Sequence, residues 1–148
     1  MTLPKGTVVP QYQPELKSKA FITVNIVSQQ EIGASRLVFD GEKETVKSSL
    51  ISMVSISCYG KNAVEMTLKL KSILQATRVR ERLRGIGGAI INMSDVRNLT
   101  YVLGASAEER GQFDVYITHS HVTTLSLEPI ELVDIYTNNS IHQHITKD

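Results

Sequence analysis

The sequence has 148 residues, with 16 Lys and Arg against 15 Asp and Glu, and a formal net charge of +1. This length fits one domain with a core that needs no disulfide or metal, and the near-zero charge excludes a bulk attraction to nucleic acid or to an anionic membrane. Because Cys58 is the single cysteine and no apolar stretch approaches the ~20 residues of a membrane span, we expect a soluble intracellular protein without disulfides.

The N-terminal segment is rich in proline and has no periodic apolar pattern. Three of the four prolines, Pro4, Pro10 and Pro14, lie in the first fourteen residues. Proline fixes φ and biases the preceding residue toward extended backbone. We therefore predict an extended arm over residues 1–14, a single α+β domain over 15–137 and a polar C-terminal tail over 138–148.

Alternating apolar residues then predict a strand followed by a hairpin. Phe21–Val27 alternates with period two. Asp40 and Gly41 mark a turn between a short arm, Arg36–Phe39, and a long arm, Thr45–Tyr59. The long arm has apolar residues on both faces, which predicts a central strand that is at least partly covered on both sides.

After Gly60 the apolar pattern changes to helical spacing. Asn62 and Glu65 match a capping box at the start of a helix over Ala63–Ala76. Thr77 is a candidate cap for a shorter helix, Arg78–Arg84. Three glycines close this second helix: Gly85, Gly87 and Gly88.

The remainder is rich in strand patterns. The predicted strands are Gly88–Met93, Leu99–Leu103, Arg110–Thr118 and Ile130–Tyr136, with a polar loop over Gly104–Glu109. The order of strands, helix pair and strands predicts an α+β fold. In it, one long and one short helix pack on one face of a largely antiparallel twisted sheet.

No pattern in the chain predicts catalysis or a cofactor. The run Gly85–Gly88 follows a helix and enters a strand, which is the wrong context for a phosphate-binding loop. Two His-x-His pairs, His119 with His121 and His142 with His144, have imidazoles that suit a transition metal, yet no carboxylate or cysteine lies at a helpful spacing. A strand end, a bulge or a subunit contact is the alternative for the first pair. We expect no catalytic, cofactor or metal site.

Charged residues supply candidate contact surfaces instead. Four arginines alternate through the second helix, in two groups on different sides of it: Arg78, Arg80, Arg82 and Arg84. They form a solvated face with ion pairs, or they contact an acidic protein surface or passing nucleic acid. Glu108, Glu109 and Arg110 form a charge cluster available for salt bridges between subunits.

Several segments, taken in order, resemble the phage neck terminator family, whose members complete the head-proximal end of a phage tail. The first is LPKGTVVP at residues 3–10. The next three are Phe21–Gly33, Phe39–Glu42 and VSISCYGKNA at residues 54–63. The last two are GIGGAIINMSDVRNLT at residues 85–100 and EERGQFD at residues 108–114. Together they span residues 3–136.

The resemblance implies a non-enzymatic virion protein, assembled in the host cytoplasm, that forms a hexameric ring. The ring would cap the tail-tube protein and join it to a head-completion or connector protein, with non-specific contact to passing DNA and none to a membrane. The alternative is another oligomeric head–tail joining or nucleic-acid-contacting protein without catalysis. A ring needs head-to-tail interfaces, for which Pro4, Lys5, Val8 and Pro10 of the arm are candidates together with the charged residues above.

Overall fold

The computed structural model describes the backbone of residues 8–10, 20–103, 106–127, 132–136 and 142–146, and the side chains of 20–102 and 107–127. The first strands are β1 (Val8–Pro10), β2 (Phe21–Glu31), β3 (Arg36–Phe39) and β4 (Lys43–Tyr59). Two helices follow, α1 (Ala63–Gln75) and α2 (Thr77–Gly85). The later strands are β5 (Gly88–Met93), β6 (Arg97–Asn98), β7 (Tyr101–Leu103), β8 (Ser106–Glu108), β9 (Arg110–Ser126), β10 (Leu132–Tyr136) and β11 (His142–Thr146).

The largest sheet has seven strands and is mostly antiparallel. Its main order is β1-β2-β4-β9-β5, with β3 pairing to β4 and β6 pairing to β9. Strand β1 runs parallel to β2, where Val8 to Pro10 pair with Ile22 to Val24. Two small hairpins, β7-β8 and β10-β11, pair separately. The predicted α+β class is confirmed, and β4 is central as predicted, because β2 and β9 flank it.

The described residues fall into two compact units. Those within Met1–Ala34 and Ser48–His121 form the first, and those within Ser35–Lys47 and Val122–Asp148 form the second. The first unit holds both helices and most of the large sheet. The second holds the β3-β4 hairpin, where Leu127 N–H donates to the Glu42 carbonyl oxygen at 3.0 Å, and the β10-β11 pair.

The core of the first unit lies between the sheet and the helices. Ile22, Cys58 and Ala63 form a buried cluster, against which Ile56, Met66 and Leu70 pack. Phe113 and Val115 of β9 are also almost fully buried. Gly111 of β9 lies directly against α1, because a Cβ there would meet the Ala63 carbonyl oxygen at 3.0 Å. Both helices therefore cover the same face of the sheet.

The opposite face of the sheet contains buried polar side chains. Ser55 and Ser57 of β4 are buried there with Thr23 of β2. The Gln112 amide hydrogen-bonds the Ser55 hydroxyl, and the Arg97 guanidinium pairs with Asp114 at 2.5 Å. Because Ser55, Ser57 and Asp114 have side-chain partners, their burial carries little desolvation cost.

The capping box predicted at Asn62 and Glu65 is wrong. Asn62 occupies the N-cap position of α1 but has left-handed backbone, φ 62°, and its side chain makes no capping hydrogen bond. Its own N–H instead donates to the Glu109 carboxylate at 2.7 Å, and Glu65 pairs with Lys69 at 2.8 Å one turn along the helix. The tight turn after Gly60 places Asn62 in a geometry that a capping side chain does not use. Thr77 is the first residue of α2, whose N-cap is Ala76, and makes no capping bond either.

Three later segments also differ from the prediction. Ser106–Glu108 of the predicted loop is a strand paired to Tyr101–Leu103. The strand predicted to end at Thr118 continues to Ser126, and His142–Thr146 of the predicted polar tail pairs with Leu132–Tyr136. Polar and hydroxyl-rich strands lack the apolar alternation that identifies half-buried ones, so backbone pairing alone defines them. Within the described residues, no helix is long and apolar enough to cross a membrane.

Candidate interface surfaces

An apolar groove lies between the helices and the sheet of the first unit. It encloses about 490 Å³. Its lining is aliphatic apart from Arg82: Val24, Val54, Ile56, Leu74, Val79, Leu83, Ile86, Ile90, Val115 and Ile117. At the end of α2, Ile86 is 82% exposed. A concave apolar surface of this size is typical of a binding site, because its side chains form no hydrogen bonds with water and are stabilised by contact with an apolar partner.

The arginines of α2 do not share one surface, in keeping with the prediction that they lie on different sides of the helix. All four are exposed. Arg82 lines the apolar groove, whereas Arg80 lines a separate polar hollow with Lys71, Gln75 and residues of β5. The helix therefore presents positive charge beside an apolar surface and does not form the single basic stripe that a nucleic-acid backbone would follow.

The β3-β4 hairpin of the second unit is a second apolar surface. Every residue of β3 is exposed, and three of the four are large and apolar: Leu37 at 62%, Val38 at 48% and Phe39 at 53%. Leu37 and Phe39 share one side of the strand because residues two apart point the same way. Contiguous exposed apolar residues on a short strand mark an interaction surface.

Asp40 fixes the turn of this hairpin. Its carboxylate accepts hydrogen bonds from the N–H groups of Lys43 at 2.7 Å and Glu42 at 3.0 Å. These bonds, the one from Lys43 first, lower the pKa of Asp40 below its ordinary value of 3.8. These bonds favour the ionised carboxylate. Asp40 therefore contributes fully to the stability of the turn above its ordinary pKa, and this contribution is lost as the pH falls through its lowered pKa.

We expect Asp40→Ala to loosen the hairpin turn, because the amides of Glu42 and Lys43 lose their acceptor. Amide hydrogen exchange at those two residues should rise severalfold at pH 6, measured by NMR. Asp40→Asn is the matched control, because its side-chain oxygen can still accept. Equal exchange in the Ala and Asn variants would contradict the assigned hydrogen bonds.

The charge cluster predicted at residues 108–110 makes contacts within its own chain. The Glu108 carboxylate accepts from the Tyr101 hydroxyl, which raises the pKa of Tyr101 because that bond and the nearby charge disfavour the phenolate. The Glu109 carboxylate accepts a hydrogen bond from the N–H of Asn62, the residue before α1. Arg110 lies 5.1 Å from the ring centre of Tyr59 and donates to the Ser57 hydroxyl at 3.4 Å.

His119 is part of a polar chain that sequence reasoning missed. Its Nε2 lies 2.8 Å from the Ser52 hydroxyl, which also accepts from the Gln29 amide at 3.1 Å. Ser52 is the residue that interrupts the apolar side of β4, and this interruption was the available signal. The side chains of His142 and His144 lie outside the described residues. Within the described part of the chain, no group of three or more His, Cys, Asp or Glu could hold a metal ion.

Cys58 is a core residue in the structure. It is fully buried, and burial raises the pKa of its thiol above the ordinary value, an effect only partly opposed by a hydrogen bond with Thr67. A thiolate is the reactive form of cysteine. The side chain is therefore inert at neutral pH.

The sequence profile of the phage neck terminator protein family matches residues 1–144. The chain belongs to this family. A comparison with curated proteins found no significant match. The predicted family is thus confirmed, and this neck terminator is a structural component of the phage virion.

The arm residues predicted to form an interface are described only in part. Val8 and Pro10 lie in β1, paired to β2 of the same chain, whereas Pro4 and Lys5 lie outside the described residues. The groove and the exposed β3 strand were not among the predicted sites. Leu37, Val38 and Phe39 were visible as apolar residues beside a turn, but their exposure required the structure.

Proposed function

We propose that this neck terminator assembles into a hexameric ring that caps the tail tube and joins it to the head-completion or connector protein. The family match over residues 1–144 carries the proposal. The chain also has the two kinds of surface that a ring requires, since a head-to-tail interface joins different patches of identical subunits. The groove lies in the first unit and the exposed hairpin in the second.

The proposed role involves binding and no bond chemistry. The protein would be made and assembled in the host cytoplasm before it joins the virion. Its partners are further copies of itself, the tail-tube protein and the connector. DNA that passes through the ring would meet it without base readout, in keeping with a net charge of +1.

The test is to add the purified full-length protein to tails assembled without it. We expect electron microscopy to show a ring of six subunits at one end of each tail, and mass measurement of capped tails to give six copies per end. A variant lacking Met1–Pro14 tests the arm, because we expect fewer rings when it is removed. Unbound tails, or a different copy number, would overturn the proposal.

A nucleic-acid-contacting role is the second candidate, and the four exposed arginines of α2 favour it. It requires a DNA affinity that falls steeply with salt and disappears when all four arginines become serine. Tail capping that survives this replacement would separate the two roles.

A further inference from the structure

The groove and the β3-β4 hairpin both present apolar side chains to solvent. The groove is a concave aliphatic surface of about 490 Å³. The hairpin offers three consecutive large apolar side chains, Leu37 to Phe39, on the exposed strand β3. Each surface leaves aliphatic area in water, at a cost of about 25 cal/mol per Å² that contact with an apolar partner would recover.

The charges beside these two surfaces are opposite in sign. The hairpin tip comprises residues 40–44. It contains three acidic residues, Asp40, Glu42 and Glu44, and one basic residue, Lys43, so its net charge is −2. At the groove, the exposed Arg82 of α2 supplies a positive charge. Opposite charges at the rim of an apolar contact favour association and fix its orientation.

The hairpin is also organised for binding before it meets a partner. Its two arms pair in register from Arg36 opposite Lys47 to Phe39 opposite Glu44. The Asp40 side chain holds the turn through its hydrogen bonds with Glu42 and Lys43. A preformed strand loses less conformational entropy on docking than a flexible peptide.

We propose that the β3-β4 hairpin of one copy docks in the apolar groove of the next copy, with its acidic tip against Arg82 of α2. This inference rests on the proposed ring, and it identifies the interface between neighbouring subunits of that ring. Because the hairpin and the groove are different patches, the interface is heterologous. Repetition of such a contact closes a ring when the rotation between subunits permits it.

Disulfide trapping in assembled virions tests the contact. The chain with Leu37→Cys and Ile86→Cys places one thiol on the hairpin and one at the groove. Buried Cys58 does not compete, because its thiol is inaccessible. After mild oxidation, we expect a ladder of covalent multimers up to the full ring on a non-reducing gel. Phe39→Cys with Ile86→Cys serves as a second pair, in case the first sulfur geometry is unfavourable.

The matched control pairs Ile86→Cys with Val102→Cys. Val102 is 73% exposed and belongs to neither surface, so this pair should stay monomeric on the gel. If Leu37→Cys alone prevents assembly while Val102→Cys assembles, the hairpin contact is supported. Rings that form normally but give no ladder with either pair overturn the contact and leave the ring itself intact. A disulfide within one chain, or one to the tail-tube protein, would also overturn the proposed contact between copies.

Charge reversal gives an independent readout on the purified chain. We expect Arg82→Glu to weaken self-association about tenfold through like-charge repulsion, measured by sedimentation at low salt. Adding Glu42→Lys and Glu44→Lys should restore most of the loss. Lys69→Glu, on an exposed part of α1 away from the groove, is the control and should leave association unchanged. Failure of the triple variant to recover any association would contradict the proposed pairing.

Discussion

Replacing Phe113 by alanine should cost about 4 kcal/mol in the free energy of unfolding, the largest effect of any single substitution considered. Phe113 is the largest fully buried side chain among the described residues. It lies on the face of β9 that the helices cover, where truncation leaves a cavity that the sheet cannot close. Urea denaturation followed by circular dichroism measures the loss.

Val122→Ala is the control for this substitution. Val122 belongs to the same strand but is 54% exposed, so its truncation should change the free energy of unfolding by less than about 0.5 kcal/mol. Similar losses in the two variants would show that Phe113 is not a core residue. The slope of the urea dependence should stay unchanged, because both variants unfold from the same fold.

Gly111→Ala should destabilise the protein by about 2 kcal/mol for the opposite reason, because it adds an atom where none fits. A Cβ at this position would overlap the Thr67 hydroxyl and approach the Ala63 carbonyl oxygen to 3.0 Å. Thr67 cannot move away easily, since it is fully buried and donates to that same carbonyl at 2.7 Å. Helix α1 must therefore shift away from the sheet.

Gly85→Ala is the matched control, because a Cβ there has no neighbour within 4 Å among the described residues and the backbone φ is not positive. Its free energy of unfolding should lie within about 0.5 kcal/mol of that of the unchanged protein. A double-mutant cycle with Thr67→Ala then isolates the clash, since the two substitutions should be less than additive. Fully additive losses would place the strain elsewhere.

Local patterns were sufficient to predict most individual elements. β3 and β5 match the predicted Arg36–Phe39 and Gly88–Met93, and the two helices begin and end within one residue of the prediction. Period-two and helical apolar patterns are strong where one face is buried. The confirmed α+β class follows from the order of those elements.

The apolar groove and the exposed β3 strand were not predictable in the same way. The groove combines side chains of β2, β4, both helices, β5 and β9. Its shape depends on strand register, which a single sequence does not specify for distant segments. A bulge between Ile26 and Ser28 and another between Ile90 and Asn92 shift that register further. The exposure of β3 depends on which strands flank it. Because the sequence does not show this, the apolar residues of β3 resemble those of a buried core strand.

The two long strands β4 and β9 have a mechanical consequence. Each is 17 residues long, and its residues are divided between the two compact units. Pulling on the hairpin would therefore stretch continuous backbone and load the antiparallel hydrogen bonds that join β4 to β2 from Phe21–Tyr59 to Glu31–Leu50. Hydrogen bonds that are loaded together along a strand resist sliding collectively, so this part of the sheet should resist a pulling force better than a single hydrogen bond would.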